Sequence, residues 1–175
     1  MGGYQDFLAR KASGIQQAGR PITPDDMNAR LHDWQKQIVA WACRTGRAAI
    51  WADTGLGKTV MQLEWARHMG DRALIVAPLA VCEQTSREAA TIGLTATYTR
   101  DQPTGPGIFI TNYEMVDRFD PSTFDAVVLD EASILKQSDG KTRTKLIRAF
   151  GDVPYRLTAT ATPAPNDPEE LTNQA

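Results

Sequence analysis

The segment Ala52-Asp53-Thr54-Gly55-Leu56-Gly57-Lys58-Thr59 places two glycines, a lysine and a hydroxyl residue in close succession between an apolar run and an amphipathic stretch. A loop entered from a strand and opening a helix presents backbone N–H groups and the positive end of the helix dipole to an anion. The residues divide the chemistry between them: the stretch from Thr54 to Gly57 wraps phosphates, Lys58 sets a point charge between the β- and γ-phosphates, and the Thr59 hydroxyl can ligate Mg²⁺. Ala52 stands where such loops usually begin with glycine. The stretch Phe124-Asp125-Ala126-Val127-Val128-Leu129-Asp130-Glu131 supplies the complementary half, an apolar strand ending in adjacent acids. Taken alone, such a pair is usually the solvated start of a loop. Downstream of a phosphate loop it gives Asp130 the metal, directly or through water, and Glu131 the task of orienting and deprotonating an attacking water.

The elements that must hold these residues are readable from hydrophobic period and punctuation. Tyr4, Phe7, Leu8, Lys11 and Ile15 fall at helical spacing, and Gly19-Arg20-Pro21 breaks the pattern, so residues 1–22 read as a helical arm and linker and 23–175 as the domain proper. Thr23-Pro24-Asp25-Asp26 has the features of a helix start, and the helix is expected to carry Leu31, Trp34, Ile38 and Trp41 on one face and to stop at Gly46. Strands are expected at Ala48–Trp51, Ala73–Ala77, Thr95–Thr99, Ile108–Thr111, Ala126–Leu129 and Tyr155–Thr158, with helices over Thr59–Met69 and Lys141–Phe150. This alternation predicts an α/β fold with a mainly parallel sheet, whose ligands sit at the carboxyl ends of the strands.

Composition narrows little but excludes some classes. A chain of 175 residues is long enough for one full core and too short for two such domains. No apolar run approaches membrane-spanning length, and the N-terminus offers neither a basic nor an apolar signal region, so a cytoplasmic setting with no membrane partner is expected. The net charge of −2 gives the whole chain no basic footprint; a nucleic-acid track would have to be local. Cys43 and Cys82 lack metal-ligand spacing and read as small buried hydrophobes.

Further segments resemble one family. Leu31-His32-Asp33-Trp34-Gln35 is similar to the Leu-x-x-aromatic-Gln segment of superfamily 2 helicases, which implies that Gln35 hydrogen-bonds adenine. Asp130-Glu131-Ala132-Ser133-Ile134-Leu135-Lys136 and Leu157-Thr158-Ala159-Thr160-Ala161-Thr162-Pro163, continued by Asn166 and Glu169-Glu170-Leu171, resemble segments of Swi/Snf-like DNA translocases. The stretches from Leu74 to Leu79 and from Ile108 to Glu114 resemble two loops of the same family that touch the nucleic-acid backbone, which implies such contacts for Pro78, Thr111 and Asn112. Phage and prophage helicase-like proteins look most similar. The resemblance implies a first RecA-like lobe that uses ATP and Mg²⁺, acts on double-stranded DNA as a translocase, and couples the metal site to its track through Ser133, Thr160 and Thr162. Ser133 stands where the family usually has His; it can donate a hydrogen bond but has a shorter reach and does not titrate near neutral pH. The family's arginine finger belongs to a second lobe, so hydrolysis is expected to need a partner lobe outside these residues, and neither Arg148 nor Arg156 lies in a segment resembling that motif. A P-loop ATPase or kinase unrelated to nucleic acid, and a nucleotide-binding fragment without turnover, are the alternatives.

Overall fold

The computed structural model describes residues 18–130 and 149–161. Six strands form one sheet: β1 (Arg47–Trp51), β2 (Arg72–Ala77), β3 (Ala96–Tyr98), β4 (Gly107–Asn112), β5 (Ala126–Asp130) and β6 (Tyr155–Thr160). Their order is β1-β6-β5-β2-β4-β3, and every pairing is parallel. The described α-helices are α1 (Asp33–Thr45), α2 (Lys58–His68) and α3 (Leu79–Thr91). This is the parallel α/β architecture expected from the alternation of elements. Strand positions agree with the expectation to within two residues at either end.

A parallel sheet must be covered on both faces, and its central strand therefore reads as a continuous apolar run. In β2, Ala73, Leu74, Ile75, Val76 and Ala77 are all buried. Alternate residues feed two cores. Ala73, Ile75, Ile110, Val128 and Leu157 pack with α1, α2 and α3, against Val39, Met61, Leu63 and Trp65. Leu74, Val76, Phe109 and Val127 pack on the opposite face with Val116, Phe119, Phe124, Phe150 and Val153.

Helix α2 is the central helix of the first layer, with Met61 through Ala66 all buried. Its sequence shows Met61, Trp65 and Met69 at helical spacing, and all three are fully enclosed. The neighbouring Gln62 and Glu64 are enclosed too, which the spacing of the apolar residues does not reveal.

Two expectations are corrected. The Thr23 start yields only a 3-10 turn, Pro24–Asp26. The Asp26 carboxylate is captured by the Thr23 amide and hydroxyl at 2.9 and 2.7 Å, and the Asn28 amide is drawn to the Glu64 side chain at 2.8 Å. The chain therefore leaves the helical path, and α1 begins at Asp33. The buried face of α1 is Gln35, Val39, Ala42 and Cys43. Trp34 and Trp41 are exposed, because a small-residue face lets α1 approach α2 closely where the tryptophans would hold it off. The helix ends at Gly46, as expected.

Helix α3 had no counterpart in the sequence expectations. Most of the arm and linker expected over residues 1–22, and most of the helix expected over Lys141–Phe150, lie outside the described residues. The described end of the arm segment is docked: the amides of Gly19 and Arg20 donate to the carbonyls of Arg44 and Cys43 at 3.1 and 2.9 Å, satisfying the last turn of α1.

Candidate nucleotide site

The phosphate-loop residues lie where strand β1 hands over to α2, at the carboxyl edge of the sheet. Ala52 extends the β1–β6 pairing by one bond, its amide donating to the Thr160 carbonyl at 3.3 Å. The chain then turns through Gly55 at φ +83 and Gly57 at φ +71. Gly57 precedes α2 in the left-handed conformation that side chains resist, and its carbonyl receives the first helical bond, from the Met61 amide at 3.2 Å. Lys58 and Thr59 thus open the helix, among N–H groups that no helical carbonyl can satisfy. The Lys58 ammonium is folded onto the Ala52 and Asp53 carbonyls at 2.7 and 3.2 Å. These neutral oxygens stand where an anion would be a stronger acceptor. The Asp53 carboxylate accepts the Thr54 amide at 2.7 Å, and Leu56 is exposed at the loop tip.

Asp130 ends β5, two strands from β1 across β6, where it is in register with Ala159. Its side chain belongs to the face covered by α2. There Gln62 Nε2 donates to Asp130 Oδ1 at 2.6 Å. The Tyr113 hydroxyl donates to the Asp130 carbonyl at 2.7 Å, fixing the strand end from the other side. A carboxylate at this place, with a hydroxyl residue at the start of α2, is an oxygen donor set suited to a hard divalent cation that keeps several of its waters. Thr160 is fully buried at the end of β6. Glu131, Ser133 and Thr162 lie outside the described residues.

Gln35, one of the few buried polar residues, sits against the loop. Its Oε1 accepts the His32 amide at 2.9 Å and its Nε2 donates to the Leu56 carbonyl at 3.1 Å. The segment ahead of α1 is held to α2 by charge. Burial alone would push the Glu64 carboxyl up, but hydrogen bonds from His68, Arg67 and the Asn28 amide outweigh it and bring the value down to about 2. Arg67 in turn reaches the Asp26 carbonyl at 3.1 Å, and Asn28 Nδ2 the Ile92 carbonyl at 2.6 Å.

The residues expected to touch a nucleic-acid backbone lie at the carboxyl ends of β2 and β4. Pro78 is partly exposed and caps α3. Thr111 and Asn112 are buried at the end of β4. Asn112 accepts the Tyr98 hydroxyl at 3.2 Å and donates to Glu114. In this conformation their side chains face the protein, because β4 is an inner strand covered on both faces. Arg156 is engaged far from the loop, its guanidinium on the Gly151 carbonyl at 2.5 Å at the opposite end of β6. Cys43 and Cys82 are buried free thiols, pushed up by desolvation to about 12 and about 11.

Gln62, Tyr113 and Glu64 were not anticipated as parts of the site. The signal for the first and last was present, as polar side chains inside the run Met61-Gln62-Leu63-Glu64-Trp65 of a helix that must be buried. A residue of that kind needs a partner, though the sequence does not say which.

None of the curated proteins matches this chain. Solved structures share its fold at low identity. The UvsW helicase from bacteriophage T4 superposes with a TM-score of 0.71 at 13% identity, over 99% of this chain and 74% of that one. The Hef helicase domain from Pyrococcus furiosus gives 0.64 at 18% identity, over 81% of this chain and 34% of that one. Residues 28–173 match the SNF2-related domain. The chain belongs to that family, as one lobe of a helicase- or translocase-type ATPase.

Proposed function

We propose that this lobe binds ATP with Mg²⁺ and hydrolyses it when a second RecA-like lobe closes on the nucleotide, with double-stranded DNA as the track that drives closure. The observation that carries the reading is the convergence of the phosphate loop from β1 and Asp130 from β5 on the start of one helix, α2, at the carboxyl edge of the sheet. Lys58 exchanges two neutral carbonyls for phosphate oxygens. Thr59 and Asp130 hold the cation, and the amides of the loop and the first turn of α2 wrap the phosphates. The cation, when bound, neutralises charge developing on the phosphoryl oxygens. Glu131 accepts the proton of the attacking water.

Gln35 supports the same reading. A carboxamide has two N–H groups and two lone pairs on oxygen, and the loop and the helix start use one of each. The remaining donor and acceptor match the edge of adenine, so a single amide would sense base and phosphate loop together. Thr160, joined through its carbonyl to Ala52, would pass the state of the loop to β6, and Ser133 and Thr162 would extend that path toward the track. Pro78, and Thr111 and Asn112 through their backbone, would meet DNA phosphates without reading sequence.

Hydrolysis in this chemistry depends on stabilising the γ-phosphoryl oxygens, where an arginine finger contributes about 10³–10⁵ in rate. Residues 1–175 alone are therefore expected to bind ATP and turn it over at background. Steady-state phosphate release, with and without duplex DNA, single-stranded DNA and RNA, tests this. DNA-stimulated turnover by these residues alone, abolished by Lys58→Ala, would show that a second lobe is dispensable. Stimulation by RNA only would move the track to RNA.

A further inference from the structure

We infer that Gln62 is a positioning residue for the metal ligand Asp130, and that it ties the aim of that carboxylate to the helix carrying Lys58 and Thr59. The inference rests on the Mg²⁺–ATP reading of the site. Gln62 is 1% exposed, and one end of its amide is committed, Nε2 donating to Asp130 Oδ1 at 2.6 Å. The other end, Oε1, is buried and has no hydrogen-bond partner. A buried acceptor left without a donor is costly, and a leucine or methionine would fill the same helix position without that cost. Packing therefore does not account for a glutamine here.

The chemistry of a cation site does. Gln62 follows Thr59 by three positions and Lys58 by four, so on α2 it lies one turn behind both, on the face they share. A donor to Oδ1 restrains the rotation of the carboxylate relative to α2. The donor is a neutral amide, so it orients the anion without cancelling the charge that attracts the metal, as a lysine or arginine would. The unpartnered Oε1 on the same amide is an acceptor of the kind that a cation's water shell supplies with donors, since Mg²⁺ keeps several waters when bound. Groups that orient a metal ligand through one hydrogen bond commonly change metal affinity by about 10–100-fold when removed.

The test is Mn²⁺ affinity, read by the loss of its free electron-paramagnetic signal, for residues 1–175 with a non-hydrolysable ATP analogue. Gln62→Leu keeps the volume and removes both polar ends; Gln62→Glu keeps the shape and offers Asp130 a donor only when protonated. Metal-free nucleotide binding and thermal unfolding are measured on all three proteins. Roughly 10–100-fold weaker Mn²⁺ binding in Gln62→Leu is expected, with metal-free nucleotide affinity retained. For Gln62→Glu we expect an Mn²⁺ affinity whose pH dependence the wild type does not share. Should Gln62→Leu fail to fold, the altered pH profile of Gln62→Glu decides. Unchanged Mn²⁺ affinity in folded Gln62→Leu, or a pH profile of Gln62→Glu matching the wild type, would make Gln62 a packing residue and overturn the inference. A wild-type chain that holds the nucleotide analogue with no Mn²⁺ would overturn it as well. A wild-type chain that holds no nucleotide at all would overturn the site reading itself.

Discussion

Gln35 meets the loop at the Leu56 carbonyl, beside Gly57, and the coupling between Gln35 and Gly57 can be measured without any ligand. A Cβ on Gly57 would stand 2.6 Å from Gln35 Nε2 and 3.2 Å from Val60 Cγ2. The first contact cannot be relieved locally, because Gln35 is buried with both ends of its amide engaged, at Leu56 and His32. Gly57→Ala thus has two costs. Holding alanine at φ +71 costs about 1–2 kcal/mol. Displacing Gln35 loses two hydrogen bonds of about 1 kcal/mol each. The single variant is therefore expected to lose about 3–4 kcal/mol, the sum of those two effects. In a Gln35→Ala background the clash disappears, and Gly57→Ala should cost only the backbone strain, leaving a coupling of about 2 kcal/mol. Urea denaturation of the four proteins followed by circular dichroism measures it. Additivity within about 0.5 kcal/mol would refute the contact and, with it, the idea that Gln35 senses the loop.

Two further outcomes follow from the charges around the site. The Glu64 carboxyl is held near 2 against an ordinary value of 4.5, so its contribution is complete above pH 4.5 and is lost as pH falls toward 2. That contribution is on the order of 3 kcal/mol by linkage. Glu64→Gln should be less stable than wild type at pH 7, with the gap closing across that window in pH-dependent denaturation; a gap independent of pH would mean the charge on the Glu64 carboxylate does not hold the Asn28 segment. Glu131→Gln should leave nucleotide binding nearly intact and slow hydrolysis by about 10²–10⁴ in a two-lobe protein, because the amide cannot take a proton. Normal turnover would place the base elsewhere.

The sheet was legible because β2, β4 and β5 carry apolar runs with clear punctuation, and because a parallel sheet leaves little freedom in where such runs go. The strand-loop-helix setting of Ala52–Thr59 and the place of Asp130 at a strand end were legible because glycines punctuate the first and an apolar run leads into the second. Helix α1 was misread for a physical reason. Trp34, Ile38 and Trp41 form the stronger apolar stripe, yet close packing against α2 favours the smaller Val39, Ala42 and Cys43. The 3-10 turn at Pro24 was misread because its capping residues are those of a longer helix, and what stops it is Glu64, distant in sequence.

Titrating residues 1–175 with a fluorescent ATP analogue tests whether the loop from Ala52 to Thr59 and Asp130 together hold Mg²⁺ and ATP. Wild type and Lys58→Ala are compared, each with and without Mg²⁺. Saturable, Mg²⁺-dependent binding by wild type is expected. Binding by Lys58→Ala is expected to be at least ~30-fold weaker, since removing one partner of a hydrogen-bonded charge pair enclosed by the bound nucleotide costs about 2–5 kcal/mol. Equal affinity of the two proteins, or binding indifferent to Mg²⁺, would contradict this reading of the site.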